Sequence, residues 1–367
     1  MRILHLGKYF PPYHGGIERF VDDLSAAQAG SGHQVSILAH SGSRSHSSQR
    51  LADGRSLYQV ATYGQLFFAP IAPRFGAALR QAVEEHDPDV LHVHVPNTSA
   101  FLVNWIAAAN RIPMVLHWHS DVLPDGGHRR LRMAYPFYKP FESRLLKHAS
   151  AIIATSPPYA KASTPLSEFA DKVHTVPLGL DPDSLAATKS QSQQSPWPKP
   201  GLRLLFIGRD THYKGLDLLL QALQQEADAS LVVIGQQGQD SEQVRFLGQV
   251  DDETRNQILA QCDATCLPSR NRHEAFGMVL IESAALGKPV IAADIQGSGA
   301  PWVVSELQNG VLFTPDDADS LRARITEFRS EPFRTRLAKL GRQNVAKKFH
   351  IDTVRQRIDD IYRQILQ

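Results

Sequence analysis

Short β-branched or Leu-rich runs alternate with helix-patterned stretches twice along this chain, and that double alternation restricts it to two parallel-sheet α/β domains. In the first half the strand-like runs are Ile3-Leu4-His5-Leu6, Val35-Ser36-Ile37-Leu38, Val90-Leu91-His92-Val93, Met114-Val115-Leu116-His117, Ala151-Ile152-Ile153-Ala154 and Val173-His174-Thr175-Val176. The pattern restarts at Leu204-Leu205-Phe206-Ile207-Gly208 and continues through runs at 231–235, 244–247, 264–267, 290–292 and 311–313. Residues 187–200 between the two series are polar, unpatterned and end in prolines, the composition of a linker. The last segment, about 353–366, carries Val354, Ile358, Ile361 and Ile365 at helical spacing, an apolar stripe that must pack on something.

The chain of 367 residues is long enough for two cores. Lys plus Arg number 39 against 37 Asp plus Glu, a balance that argues against bulk nucleic-acid binding. The two cysteines, Cys262 and Cys266, flank and enter one strand-like run and read as core. The first apolar run is too short for a secretion signal and no apolar segment reaches 18 residues, so a cytoplasmic protein is expected.

Four stretches carry candidate chemistry. In His273-Glu274-Ala275-Phe276-Gly277-Met278-Val279-Leu280-Ile281-Glu282, two carboxylates stand eight positions apart around a Phe-Gly turn. A helix beginning at Gly277 would leave Glu274 in the preceding loop and put Glu282 about a turn and a half inside. Its N-terminal amides would then offer a seat for phosphate. Gly15 and Gly16 lie between a strand and a helix, a geometry that suits close backbone approach to an anion, and they match neither Walker A nor the dinucleotide fingerprint. Arg209 and Lys214 lie five apart in a loop after a strand, placed to neutralise a diphosphate. His117-Trp118-His119-Ser120-Asp121 ends another strand. There a His is useful as a hydrogen-bond donor to hydroxyl or phosphate oxygens, and the H-x-H pair, like its counterpart at His92 and His94, is not taken as a metal site. The triplets Asp87-Pro88-Asp89, Asp181-Pro182-Asp183 and Asp317-Ala318-Asp319 are explained by turns and helix caps.

In this order, with Pro177-Leu178-Gly179-Leu180-Asp181 before the linker, these elements resemble retaining family 4 glycosyltransferases across nearly the whole chain. The resemblance implies a GT-B fold, two Rossmann-like domains facing across a cleft, here 1–186 and 201–349, with 350–367 crossing back to the first. It implies that Gly15 and Gly16 offer amides to donor phosphates and that His119 contacts the transferred sugar. Arg209 and Lys214 would stabilise the leaving diphosphate, Glu274 would hold sugar hydroxyls, and Glu282 the ribose. Leu247 to Val250 would line the base pocket, and Phe276, Gly277, Met278 and Val279 would complete the donor site. The resemblance also implies no cofactor and no metal, with the nucleotide sugar as substrate. The loop before Lys214 departs from the pattern, reading Thr211-His212-Tyr213 where many relatives carry Pro-Glu.

Residues 128–141, with Arg129, Arg130 and Arg132 among aromatic rings, suit contact with an anionic lipid or lipid diphosphate, and Asp121 is grouped with them on the acceptor side. The expected reaction is hexose transfer, from a GDP-mannose-type donor before a UDP-hexose, to a glycan or lipid-linked glycan of a cell-surface polysaccharide, with peripheral contact at the inner face of the cytoplasmic membrane. Alternatives are a nucleotide-sugar epimerase of the same fold and a non-catalytic sugar-nucleotide-binding subunit.

Overall fold

The computed structural model of the chain describes every residue except 14, 67–68, 123–128 and 187–194, and the side chains at 107, 129, 130 and 186 also lie outside the described set. Two compact units result, Met1–Gly179 with Ile351–Gln367, and Leu180–His350. The first contains β1 (Arg2–Leu6), β2 (Gln34–His40), β3 (Ser47–Arg50), β4 (Ser56–Val60), β5 (Gln65–Leu66), β6 (Ala69–Pro70), β7 (Val90–Val95), β8 (Met114–Trp118), β9 (Ala151–Ala154) and β10 (Val173–Thr175). Eight of these form a sheet in the order β10-β9-β8-β7-β1-β2-β4-β3, while β5 and β6 make a separate ribbon. Pairing is parallel except between β3 and β4. Strands β7, β8 and β9 are buried along their whole length, as strands covered on both faces must be.

In the second unit β11 (Leu202–Ile207), β12 (Ala229–Ile234), β13 (Val244–Gly248), β14 (Ala264–Leu267), β15 (Val290–Ala293) and β16 (Gly310–Phe313) form a parallel sheet in the order β13-β12-β11-β14-β15-β16. One side of that sheet packs around Phe206, Leu219, Leu231, Phe313 and Phe328, and the other around Trp197, Leu205 and Leu259. Each sheet has a strand-order reversal, between β1 and β7 in the first and between β11 and β14 in the second. Crevices at the carboxyl ends of such reversals are where open α/β sheets bind ligands. The loops leaving β11 and β14 carry Arg209, Lys214 and Glu274.

The units divide after Gly179, earlier than the boundary at 186 read from the sequence. The cause is local: the short helix Pro182–Ala186 packs against the Met278–Ala285 helix of the second unit. Residues 187–194 of the expected linker lie outside the described residues, and Trp197 at its far end is buried, its indole N–H donating to Leu204 O at 2.9 Å. The final helix, Ile351–Ile365, packs on the Gly16–Gly30 helix of the first unit and buries Val354, Ile358, Ile361 and Tyr362. His33 to Asp359 at 3.2 Å and Arg357 to Thr175 O at 2.6 Å fix it there. Among the described residues no helix is long and apolar enough to cross a membrane.

Candidate active site

Lys214 sits at the end of a short turn after β11, and Gly215 follows at φ 67°, where a Cβ would lie 2.0 Å from Pro268 O. Only glycine lets the two loops approach so closely. The contact aims Lys214 Nζ at Glu274 Oε2, 2.7 Å away, and Ser269 Oγ donates to the same oxygen at 2.9 Å. Their side chains are 15% and 9% exposed, so the pair is largely dry. Burial disfavours charge on Lys214, but the Glu274 carboxylate outweighs it and lifts the ammonium above its usual range. Arg270 braces the same loops, binding Asp217 at 2.8 Å and Asp316 at 2.7 Å, with its backbone N–H on Tyr213 O. Tyr213 stacks on His273, ring centroids 5.2 Å apart, which gives the unusual Thr211-His212-Tyr213 segment a packing role. Arg209 is exposed and its guanidinium makes no ion pair among the described residues.

The helix expected after Phe276-Gly277 runs Met278–Ala285, with Gly277 as its N-cap at φ 83°. Its first amides have no acceptor within the helix and remain available to an anion. Phe276 and Val279 are buried and Met278 is partly exposed. Glu282 is 2% exposed and held by a two-pronged Arg255 contact at 3.1 and 3.2 Å. A ribose hydroxyl on Glu282 would therefore share it with Arg255. Leu247 and Val250 pack partly buried against the Trp197 cluster. Neither Ser269 nor Arg255 was singled out from the sequence. Ser269 stands five residues before Glu274, in the same loop, whereas nothing local couples Arg255 to Glu282.

In the first unit Gly15 is the N-cap of the Gly16–Gly30 helix. The Glu18 carboxylate folds back over it, so close that a Cβ on Gly15 would lie 2.0 Å from Glu18 Oε2. A phosphate seated there has to displace that carboxylate. Asp121 is 4% exposed; it accepts from the Trp118 indole at 2.8 Å and from Ser163 Oγ at 2.6 Å. Through these two bonds the carboxylate joins the end of β8 to Ser163, and its grouping with an acceptor surface stays an expectation. His128 and the side chains of Arg129 and Arg130 lie outside the described residues, while Arg132 is exposed on the Arg129–His148 helix.

Parallel register brings His5 beside His92 and His94 beside His117. With His119, these form a layer of five imidazoles on one sheet face, all buried. Burial holds every ring neutral: His5 falls to about 4, His119 to about 3, and His92, His94 and His117 well below their usual range. Two triads, His5/His92/His94 and His94/His117/His119, gather ligand atoms within 4.8 Å. Their ring nitrogens are directed at each other instead, His5 to His94 at 3.1 Å, His94 to His119 at 3.0 Å and His92 to His117 at 3.1 Å. A metal needs lone pairs converging on one centre at roughly 2.0–2.1 Å. Mutually hydrogen-bonded rings do not supply that.

Two family models match the chain, a glycosyl transferase 4-like domain over residues 15–179 and glycosyl transferases group 1 over 187–344. The D-rhamnosyltransferase WbpZ of Pseudomonas aeruginosa is 30% identical over 335 residues, 88% of this chain and 85% of that protein. The O-antigen chain mannosyltransferase C of Escherichia coli is 26% identical over 380 residues, covering 100% of this chain and 99% of the relative. Sucrose-phosphate synthase from Thermosynechococcus elongatus superposes with a TM-score of 0.76 at 21% identity, covering 99% and 98% of the two chains, a likeness of fold. Two Rossmann-like sheets, a charged pair at the switch-point loops of the second, and matches spanning both halves together place this chain in the group 1, family 4-like glycosyltransferases of GT-B fold.

Proposed function

We propose that this glycosyltransferase moves a hexose from a nucleotide sugar to a hydroxyl of a glycan or lipid-linked glycan in cell-surface polysaccharide synthesis, with retention and without a metal. The observation that carries this reading is the buried Lys214–Glu274 pair, bonded at 2.7 Å beside the exposed Arg209 and at the carboxyl end of β11. A fixed ammonium and a guanidinium at that crevice supply the positive charge a departing diphosphate needs, already oriented before reaction. The Glu274 carboxylate accepts hydrogen bonds, so it suits sugar hydroxyls. The acceptor oxygen bonds to the anomeric carbon as the bond to the diphosphate breaks on the same face, and the acceptor proton passes to the leaving phosphate oxygen. GDP-mannose is the favoured donor, with UDP-hexose next; the mannosyltransferase name of one relative supports mannose. Both named relatives are transferases, which disfavours the epimerase and binding-subunit alternatives.

The Arg129–His148 helix supports a peripheral membrane contact at the cytoplasmic face. Met133, Phe137 and Phe141 stand at four-residue spacing and are 70%, 79% and 43% exposed. Arg132, Lys139, Arg144 and Lys147 are exposed as well, and the helix's single carboxylate, Glu142, is buried and accepts from Tyr135 at 2.7 Å. A face with apolar and cationic groups and no described exposed carboxylate suits an anionic bilayer.

Thermal stabilisation by a panel of UDP-, GDP- and ADP-sugars, with and without EDTA, tests the donor reading. Selective stabilisation by one sugar nucleotide, unchanged by EDTA and lost in Glu282→Gln, is expected. No shift with any of them, or a strict requirement for divalent metal, overturns it.

A further inference from the structure

The five buried imidazoles form two separate hydrogen-bonded chains, and both begin at one residue. In the first, His5 Nε2 meets Gln28 Oε1 at 2.7 Å, His5 Nδ1 meets His94 Nε2, and His94 Nδ1 meets His119 Nε2. In the second, Gln28 Nε2 donates to Tyr362 OH at 3.3 Å, Tyr362 OH contacts His92 Nδ1, and His92 Nε2 meets His117 Nδ1. The chains lie on each other as stacked rings, His92 on His94 with centroids 4.5 Å apart and His117 on His119 at 4.4 Å.

Neutral imidazole has one donor nitrogen and one acceptor nitrogen, so fixing one end of such a chain fixes all of it. The amide oxygen of Gln28 only accepts, so His5 carries its proton on Nε2 and leaves Nδ1 bare. His94 must then donate from Nε2, and His119 likewise. The amide nitrogen only donates, so the Tyr362 hydroxyl turns its proton to His92 Nδ1. His92 then donates from Nε2 to His117 Nδ1, which puts the His117 proton on Nε2. Hydrogen bonds thus point toward Gln28 in the first chain and away from it in the second.

Two ring nitrogens are left over, and they are opposite in kind. His119 Nδ1 and His117 Nε2 are buried without a hydrogen-bond partner, the first a bare acceptor and the second a donor. Each lies on the side of its ring away from β7. Thr155 Oγ1, also buried and unpartnered, follows in register beside His119, because Trp118 pairs with Ala154 one step earlier. Orphaned buried polar atoms are uncommon in a folded interior, and here three gather at the carboxyl end of β8 and β9.

We propose that Gln28 is a positioning residue whose single amide orients both imidazole chains, presenting His119 Nδ1 as an acceptor and His117 Nε2–H as a donor to one hydroxyl group. A hydroxyl both donates and accepts, so it is the ligand class this pair matches, and Thr155 adds a second hydroxyl contact. Identifying that group as a hydroxyl of the transferred sugar rests on the transferase reading; the relay does not. From the sequence a His of this stretch is expected to act as a donor, and the chain polarity gives that role to His117 and makes His119 an acceptor.

Long-range proton–nitrogen spectra of the full-length, 15N-histidine-labelled protein read each tautomer. All five rings are expected purely Nε2–H, with His119 Nδ1 showing the downfield position of a bare nitrogen. In Gln28→Glu at pH 8 a carboxylate accepts from both neighbours, so the Tyr362 proton turns away from His92. His92 and His117 should then switch to Nδ1–H while His5, His94 and His119 stay as they were. If that variant does not fold, Tyr362→Phe should leave His92 and His117 as tautomer mixtures and the first chain pure. A His119 proton on Nδ1 in the native protein, or a response in both chains or in neither, overturns the relay. With the UDP-, GDP- and ADP-sugar panel, a bound donor should move His119 Nδ1 upfield. Binding without that shift overturns the hydroxyl assignment alone, and no binding by any of them overturns the donor reading while the relay stands.

Discussion

Removing either member of the Lys214–Glu274 pair should destabilise the second unit far more than the loss of a surface ion pair would, and removing both should cost less than removing one. The side chains are 15% and 9% exposed, and the shared oxygen also takes the Ser269 hydroxyl. Breaking a buried pair costs about 3–5 kcal/mol because a charge stays buried alone, whereas an exposed pair contributes about 0–1 kcal/mol. Lys214→Met leaves Glu274 with Ser269, and Glu274→Gln leaves the ammonium facing a neutral amide, so each single substitution is placed at about 3 kcal/mol. The double variant buries no charge at this point, so it is placed close to the parent, giving a coupling energy of about 6 kcal/mol. For a unit of this size each kcal/mol moves the midpoint by roughly 2–4 °C, so each single variant should melt roughly 6–12 °C below the parent and the double variant near it. Scanning calorimetry of the full chain, with the transition of the Leu180–His350 unit resolved, supplies the numbers. A coupling energy below about 1 kcal/mol would show a solvent-screened pair and refute the dry-site reasoning. Transferase activity should be lost in all three variants; recovery in the double variant would separate these groups from the chemistry.

Two further outcomes are expected. Burial pushes the Glu142 carboxyl up to about 7 from an ordinary 4.5, with Asp121 adding to the rise and the Tyr135 hydrogen bond opposing it. The folded state therefore holds a proton the unfolded chain releases, so stability is full below pH 4.5 and is lost as pH rises toward 7. At about 1.4 kcal/mol per unit the ceiling is about 3 kcal/mol, and Glu142→Gln should gain a large part of it at pH 8 and nothing at pH 4; equal effects at both pH values in urea melts would contradict the assignment. Replacing Phe137 and Phe141 with Glu should cut sedimentation with phosphatidylglycerol-containing vesicles by about tenfold or more, since burying one such ring is worth about 1.5–3 kcal/mol. Unchanged sedimentation would remove the membrane role of that face.

The strands legible in the sequence were those with dense β-branched or Leu-rich runs, such as Ala151 to Ala154, which is apolar throughout and buried along its length. Strand β3, Ser-Ser-Gln-Arg, is exposed along its length and belongs to the sheet only through its antiparallel pairing with β4. No hydrophobic pattern marks such an edge. The short helix at Pro182–Ala186 was similarly assigned to the wrong side of a boundary, since packing on a distant helix leaves no local trace.

The sequence alone determined the two parallel-sheet units, the Gly277 helix start, and the loops bearing Arg209, Lys214 and Glu274, since periodicity and glycine placement act over a few residues. It also showed two H-x-H pairs, whose alternation puts each pair on one face of its strand. Only tertiary structure decided what those side chains meet. Strand order set β1, β7 and β8 side by side, and register then aligned His5, His92 and His117 with their neighbours. Helix packing brought Gln28 and Tyr362, separated by most of the chain, to one hydrogen bond. The same holds for Arg255 on Glu282 and Glu18 over Gly15. A residue's chemical type is written locally, but its protonation, its partner and the atom it leaves free are fixed by the groups that folding packs against it.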